Sequence, residues 1–258
     1  MGSKGITCAG SEPVIQYLDD ETPFRECKRL LSEFSSPLSS ETEARALRFL
    51  RHSSGENKSA YKLGRQNDLA DWLLQQEEHT NACTAILLEV IADEKAEIQW
   101  REYCIQNLAL ALDQPVLNQE MTEQCLATLV EKSTDPRISF SGTALLGLYR
   151  CSQKSDPLID SEDLAELAEY VLAASNFANA NKVTALQVAG LSGSETALLM
   201  ARKYVTDSSM PMQLRVSAIA LIGRKGGQKD IPLLNNLTES LDLRLRKAAE
   251  SALQKLTS

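Results

Sequence analysis

A chain of 258 residues is long enough to bury a substantial core, and 43% hydrophobic with 24% charged content belongs to a folded protein, while only 12 Gly and 8 Pro beside abundant Ala, Leu, Glu and Gln favour helices over strands. No apolar run approaches the roughly 18–20 residues that span a bilayer and no signal-peptide core follows Met1, which excludes membrane insertion and implies a cytoplasmic chain, or an exported one if a leader has been removed. The net charge of −8 is uneven, with 11 basic and 6 acidic residues after position 175 against 16 and 29 before it, so most of the chain disfavours nucleic acid while the last third tolerates an acidic partner.

In chain order, residues 1–20 are polar, carry Gly2, Gly5, Gly10 and Pro13, and read as a flexible tail. Thr22-Pro23 is a helix-start signal, and Phe24, Cys27, Leu30, Leu31 and Phe34 hold a period near 3.6 residues. Ser40 opens a second helix with Ala46, Leu47 and Leu50 inward. His52 to Lys62 is a polar break, followed by a short amphipathic helix over Asp68 to Gln76. Thr80 caps a helix with Cys83, Ile86, Leu87, Val90 and Ile91 in one stripe, and after Asp93 a longer one, Ile98 to Leu112, is apolar on more than one side. Gln114-Pro115, Asp135-Pro136 and the stretch Ser152 to Asp160 punctuate the middle of the chain, and Ser161-Glu162-Asp163 caps the next helix. In all the pattern predicts about thirteen helices in antiparallel succession.

From Pro211 onward one helix-sized pattern occurs twice: Leu214-Arg215, Ala218, Ile222 and then Leu245-Arg246, Ala249, Leu253. The same layout can be carried upstream to Lys182, Arg137 and Arg101, so the basic residues 101, 137, 182, 215 and 246 lie 36, 45, 33 and 31 positions apart, the longest gap holding the extra loop before Asp160. Positions three and seven after the basic residue share a helix face, and a single helix pair cannot bury that face alone. The units must therefore stack, which predicts an all-α solenoid of antiparallel helix pairs in one domain over residues 21–258, clearest over 93–258.

The segments from Arg215 to Gly223 (RVSAIALIG) and from Arg246 to Leu253 (RKAAESAL) resemble HEAT repeats, including the shorter variety of phycobilisome-lyase-like proteins. The family's aspartate a few residues ahead of the arginine is approximated by Asp242 and Asp135 and missing before Arg215 and Lys182. The resemblance implies that Arg101, Arg137, Lys182, Arg215 and Arg246 stabilise neighbouring repeats. It also implies a non-enzymatic scaffold or adaptor whose inner helices bind another protein or peptide, or a helper subunit of a larger assembly. The alternative is a HEAT-like enzyme or ligand binder, of bilin-lyase or DNA-glycosylase type, the last disfavoured by the acidic first two thirds.

No reaction centre stands out. Cys8, Cys27, Cys83, Cys104, Cys125 and Cys151 form no metal-finger or C-x-x-C spacing; they read as core fillers, or, for Cys104 and Cys125, nearly symmetric about Gln114-Pro115, as a disulfide in an exported chain. His79 and Cys83 form an i, i+4 pair without the further ligands a metal needs, and no cofactor is expected. Paired carboxylates such as Glu162-Asp163 suit helix ends. Trp72 and Trp100 read as core residues. The cluster expected to meet a partner is the basic C-terminal set Arg224, Lys225, Lys229 and Arg244.

Overall fold

The computed structural model describes residues 12–19, 22–34, 37–51, 60–138 and 140–257. Among these are fourteen α-helices, one 3-10 turn and no strand. The fold is an all-α solenoid of stacked antiparallel helix pairs, in two compact units, Met1–Cys125 and Leu126–Ser258.

The first unit holds α1 (Glu12–Leu18), α2 (Phe24–Ser32), α3 (Ser40–Arg51), α4 (Ala60–Leu74), α5 (Thr80–Ala92), α6 (Ile98–Ala111) and the start of α7 (Gln119–Ser133). Alternate helices pack on one another, α1 on α3 on α5 and α2 on α4 on α6, which is how helix pairs bury stripes that no single pair could cover. Trp100 of α6 is wholly buried, and its indole N–H donates to the carbonyl of Leu50 at the end of α3 (3.0 Å). Asn81 fastens the stretch after α6, donating to the Val116 carbonyl and accepting from the Asn118 amide, both at 3.1 Å.

Three local expectations change. Part of the expected N-terminal tail is helix: Glu12–Leu18 forms α1, because Val14 and Tyr17 fall on one face and are buried. The Tyr17 hydroxyl donates to the Arg65 carbonyl (2.7 Å), and the buried Arg65 guanidinium returns bonds to the carbonyls of Tyr17 and Asp19. Of the expected break from His52 to Lys62, residues 52–59 lie outside the described residues, but α4 already begins at Ala60, since buried Leu63 and Arg65 extend upstream the face carried by Leu69 and Leu73. Thr80 is the first residue of α5, not its cap; its hydroxyl turns back to the carbonyls of Leu74 (3.1 Å) and Gln76 (2.9 Å).

The second unit continues with α8 (Ser141–Ser152), α9 (Ser161–Ala173), α10 (Asn179–Leu191), α11 (Glu195–Thr206), α12 (Met212–Lys225), a 3-10 turn (Gln228–Asp230), α13 (Ile231–Thr238) and α14 (Leu243–Thr257). Asp160, one residue ahead of the expected cap, starts α9 by accepting from the amides of Glu162 (3.0 Å) and Asp163 (2.8 Å). Ser194 does the same for α11 through the Ala197 amide at 2.7 Å.

The even-numbered helices form a continuous row, α8 on α10 on α12 on α14. Small residues set their spacing: a Cβ on Gly223 of α12 would lie 2.6 Å from the Cα of Ala252 in α14, and one on Gly190 of α10 would collide with Leu221 of α12. Both contacts join the C-terminal half of one helix to the C-terminal half of the next, so the helices of the row run parallel. Between α12 and α14 the backbones are too close for a side chain at Gly223, whereas between α10 and α12 the Leu221 side chain fills the space over Gly190. The turn after α12 is held by Asp230, buried, which accepts from the Gly227 amide (2.9 Å) and from Arg202 of α11 at 2.7 and 3.0 Å.

Candidate binding surfaces

The basic repeat positions share a register at the start of their helices. The backbone N–H groups of Arg101, Lys182, Arg215 and Arg246 donate to the carbonyls of Glu97, Ala178, Pro211 and Asp242, closing the first turns of α6, α10, α12 and α14. From that place Arg101 reaches back ten residues to the carbonyl of Ile91 (3.1 and 2.9 Å), and Arg215 reaches the carbonyl of Val205 at 3.1 Å. Both acceptors are orphan carbonyls in the last turn of the partner helix of the same pair. Lys182 and Arg246 are half-buried in the same register.

Arg137 does not share that register. It lies in the turn ahead of α8, where the helix-opening bond from Ala144 to Phe140 is made seven residues later. The Asp135 carboxylate accepts from the Arg137 amide (2.9 Å) and from its guanidinium at 3.0 and 2.8 Å, and folds the turn. Asp242 and Arg244 repeat this arrangement two residues apart, at 2.8 Å to the amide and 3.2 and 2.9 Å to the guanidinium. The bound arginine holds the Asp135 carboxyl below the usual carboxylate range and the Asp242 carboxyl down to about 2. Asp93 and Asp207 make the same amide contact to Lys95 (2.9 Å) and Ser209 (2.8 Å), each eight residues ahead of a clamping arginine.

The basic set expected at the C-terminal end is divided. Arg224 and Lys225 close α12, Lys229 lies in the 3-10 turn just beyond, and all three are exposed with no carboxylate in ion-pair range among the described residues. Arg224 and Lys225, with Gln187, Leu191 and Ala220, line a dent between α10 and α12. Arg244 instead opens α14, eight residues before the Ala252 that meets Gly223, about 12 Å away along the axis at 1.5 Å per residue. Its charge is neutralised by Asp242.

A further concavity of the second unit lies elsewhere, at residues the sequence reading did not single out as a site. It is a groove of about 590 Å³ lined by Val130 and Thr134 at the end of α7, Ile159 from the loop before α9, and Asp163, Glu166, Leu167 and Tyr170 of α9. The four α9 residues are spaced i, i+3, i+4 and i+7 and therefore share one face. The loop is tied at both ends of Ile159, by the Leu158 amide on the Cys151 carbonyl (3.4 Å) and by the Asp160 cap. Tyr170 remains 53% exposed, and Phe177 meets its ring at 83° with centroids 6.1 Å apart. The sequence signal was the 45-residue interval, since in a repeat array extra length between units falls in a loop.

Groups that could support chemistry are engaged in the fold. His79 is buried, with Nδ1 on the Glu43 carboxylate (2.8 Å) and Nε2 accepting from the Leu38 amide (3.2 Å), so both nitrogens are occupied and the ring stacks on Trp72. Trp72 is only half-buried, and Phe34 meets it edge-on at 5.1 Å between centroids. Cys27, Cys83, Cys104, Cys125 and Cys151 are buried thiols, while Cys8 lies outside the described residues. Burial pushes the Cys83 and Cys104 thiols up, away from the reactive thiolate. Among the described residues no three His, Cys, Asp or Glu side chains are placed to hold a metal ion, and no helix is long and apolar enough to cross a membrane.

No protein-family model matches the chain, and no curated protein matches it. Among solved structures it is similar to human deoxyhypusine hydroxylase in complex with glycerol, at 14% identity over 96% of this chain and 96% of that one, with a TM-score of 0.39. It is also similar to a designed armadillo repeat protein in complex with the peptide (KR)4, at 14% identity over 96% and 99% of the two chains with a TM-score of 0.35. An engineered protein matches at 14% identity over 97% and 69%, with a TM-score of 0.31.

Proposed function

We propose that this chain is a HEAT-like scaffold or adaptor, without a reaction of its own, which binds a protein or peptide along the row α8, α10, α12 and α14. Arg101, Lys182, Arg215 and Arg246 hold its repeats, and Arg224, Lys225 and Lys229 give the row a cationic end. The observation that carries this reading is that Arg224 and Lys225 line the dent edged by Leu191 with no carboxylate in ion-pair range among the described residues, on a row that also exposes Leu146. Exposed cations with an apolar neighbour suit an acidic partner segment, and electrostatics of this kind govern encounter rate and selectivity more than final affinity. Arg244, paired with Asp242 at the other end of α14, is not part of this end.

The test is affinity capture from an extract of the source cells with the intact chain and with an Arg224→Glu/Lys225→Glu/Lys229→Glu variant, followed by binding measurements between purified components. All three residues are exposed, so the variant keeps its fold. A partner that binds the intact chain directly and loses affinity for the variant supports the reading. A partner bound equally by both moves the site off this end, and turnover of a small molecule by the purified chain overturns the scaffold reading.

A further inference from the structure

The groove between the end of α7 and the outward face of α9 lies off the α8–α14 row and forms a separate feature of the second unit. Its lining combines two kinds of surface. Val130, Ile159 and Leu167 give an apolar floor, and Asp163, Glu166 and Tyr170 form one edge of it. Asp163 and Glu166 are exposed, one helical turn apart, and among the described residues no lysine or arginine lies within ion-pair range of either carboxylate. Glu166 and Tyr170 are again one turn apart, so a cation seated against that carboxylate also lies within reach of the exposed ring, where attraction to the π-face adds to the charge pairing.

The groove is held open before any ligand arrives. Ile159 lies between two fixed points, the Leu158 to Cys151 bond and the Asp160 cap, and Phe177 packs against the Tyr170 ring at 83°. A site already ordered avoids the entropic cost of arranging its side chains on binding. About 590 Å³ accommodates one or two bulky side chains. The apolar floor excludes a merely charged ligand as the best fit, and the two exposed carboxylates exclude a merely greasy or an acidic one.

We propose that this groove docks a segment of a partner protein in which a bulky aliphatic residue is flanked by arginine or lysine. The aliphatic side chain fills the floor between Val130, Ile159 and Leu167, and the cation pairs with Asp163 and Glu166 against the face of Tyr170. This site is distinct from the cationic end of the row and takes a segment of opposite charge.

Fluorescence anisotropy with the full chain tests it, using three labelled peptides: leucine flanked by arginines, serine in place of that leucine, and leucine flanked by glutamates. The arginine–leucine peptide binds saturably, and its affinity falls about tenfold or more with the serine or glutamate peptide, with an Asp163→Lys/Glu166→Lys chain, and with Tyr170→Ala. The three substituted side chains are exposed, so circular dichroism keeps the helix content of the unmodified chain, while Asp163→Lys, in the first turn of α9, lowers the thermal midpoint by only a few degrees. The Arg224→Glu/Lys225→Glu/Lys229→Glu chain binds the peptide undiminished, which separates this proposal from the reading of the row. Absence of saturable binding, equal affinity for the serine peptide, or indifference to the groove variants overturns the proposal. Self-association of the intact chain in sedimentation that the groove variants abolish also overturns it, by assigning the groove to a second copy.

Discussion

Arg215 bonds the carbonyl of Val205, the penultimate residue of α11, from the first turn of α12, and Arg101 makes the same ten-residue reach from α6 to Ile91 in α5. A guanidinium at a helix C-terminus satisfies a carbonyl that has no partner inside the helix and sits favourably at the negative end of its dipole. The repeat arginine therefore connects the two helices of its own pair.

Truncating Arg215 to alanine removes that bond and leaves a partly buried carbonyl short of a donor. The expected cost is about 1–2 kcal/mol in urea unfolding followed by circular dichroism. Arg246→Ala, at the same register but without such a bond, is expected to change stability by less than about 0.5 kcal/mol. Equal losses from both would show that the position matters through packing alone.

Close backbone approach makes a second contrast. At Gly223 an added methyl meets the Ala252 backbone, which cannot move without shifting α14, whereas at Gly190 it meets the far end of the Leu221 side chain, which can change rotamer. Gly223→Ala is expected to destabilise by about 1–3 kcal/mol, and Gly190→Ala by clearly less. Thermal unfolding of the two variants side by side decides it, and the reverse order would mean that the α12–α14 spacing is softer than the contact implies.

The buried thiols make a third test. Cys83 and Cys104 lie wholly inside the first unit, in the stripes of α5 and α6, and desolvation disfavours their thiolates. Alkylation by iodoacetamide at pH 8, read by peptide mass spectrometry, is expected to spare both in the native chain and to modify both in urea. Labelling of Cys83 at a rate near that of the unfolded chain would show that α5 opens readily.

The stacked pairs were legible because the even-numbered helices of the second unit repeat one apolar layout and its interruptions carry Gly, Pro, Asn and Asp. The helix at Glu12–Leu18 was not, because its two buried residues, Val14 and Tyr17, sit among polar neighbours and acquire their meaning from Arg65, some fifty positions away. Arg137 misled because an arginine held in a turn by Asp135 looks, by spacing alone, like one opening a helix. The aspartates that accompany the clamping arginines, Asp93 and Asp207, stand eight residues ahead of them, at the far side of the interhelical turn, and a search over a few residues passes them by. The groove was signalled only as excess length between repeats, since its lining comes from two helices and a loop that no local pattern joins.

The pair Asp230–Arg202 gives a dependence on pH whose sign is fixed. The Arg202 guanidinium, with the Gly227 amide, holds the Asp230 carboxyl below its ordinary value, outweighing the opposing effect of burial. A group depressed in the folded state contributes stability that is complete above its unfolded pKa, about 3.9, and is lost as the pH falls through the lower folded value. Asp230→Asn at neutral pH leaves a partly buried guanidinium without its counter-charge, and because Arg202 keeps 20% of its side-chain surface in water the expected cost is about 3 kcal/mol, the low end for a broken buried pair. The loss of thermal midpoint between pH 7 and pH 3 should then be smaller in Asp230→Asn than in the unmodified chain, because the variant no longer has this carboxylate to protonate. Asp135, Asp207 and Asp242 are held below their ordinary values too and remain in both proteins, so the difference reports on Asp230. Identical acid sensitivity in the two would mean that the pair adds nothing to folding beyond what the solvated groups provide separately.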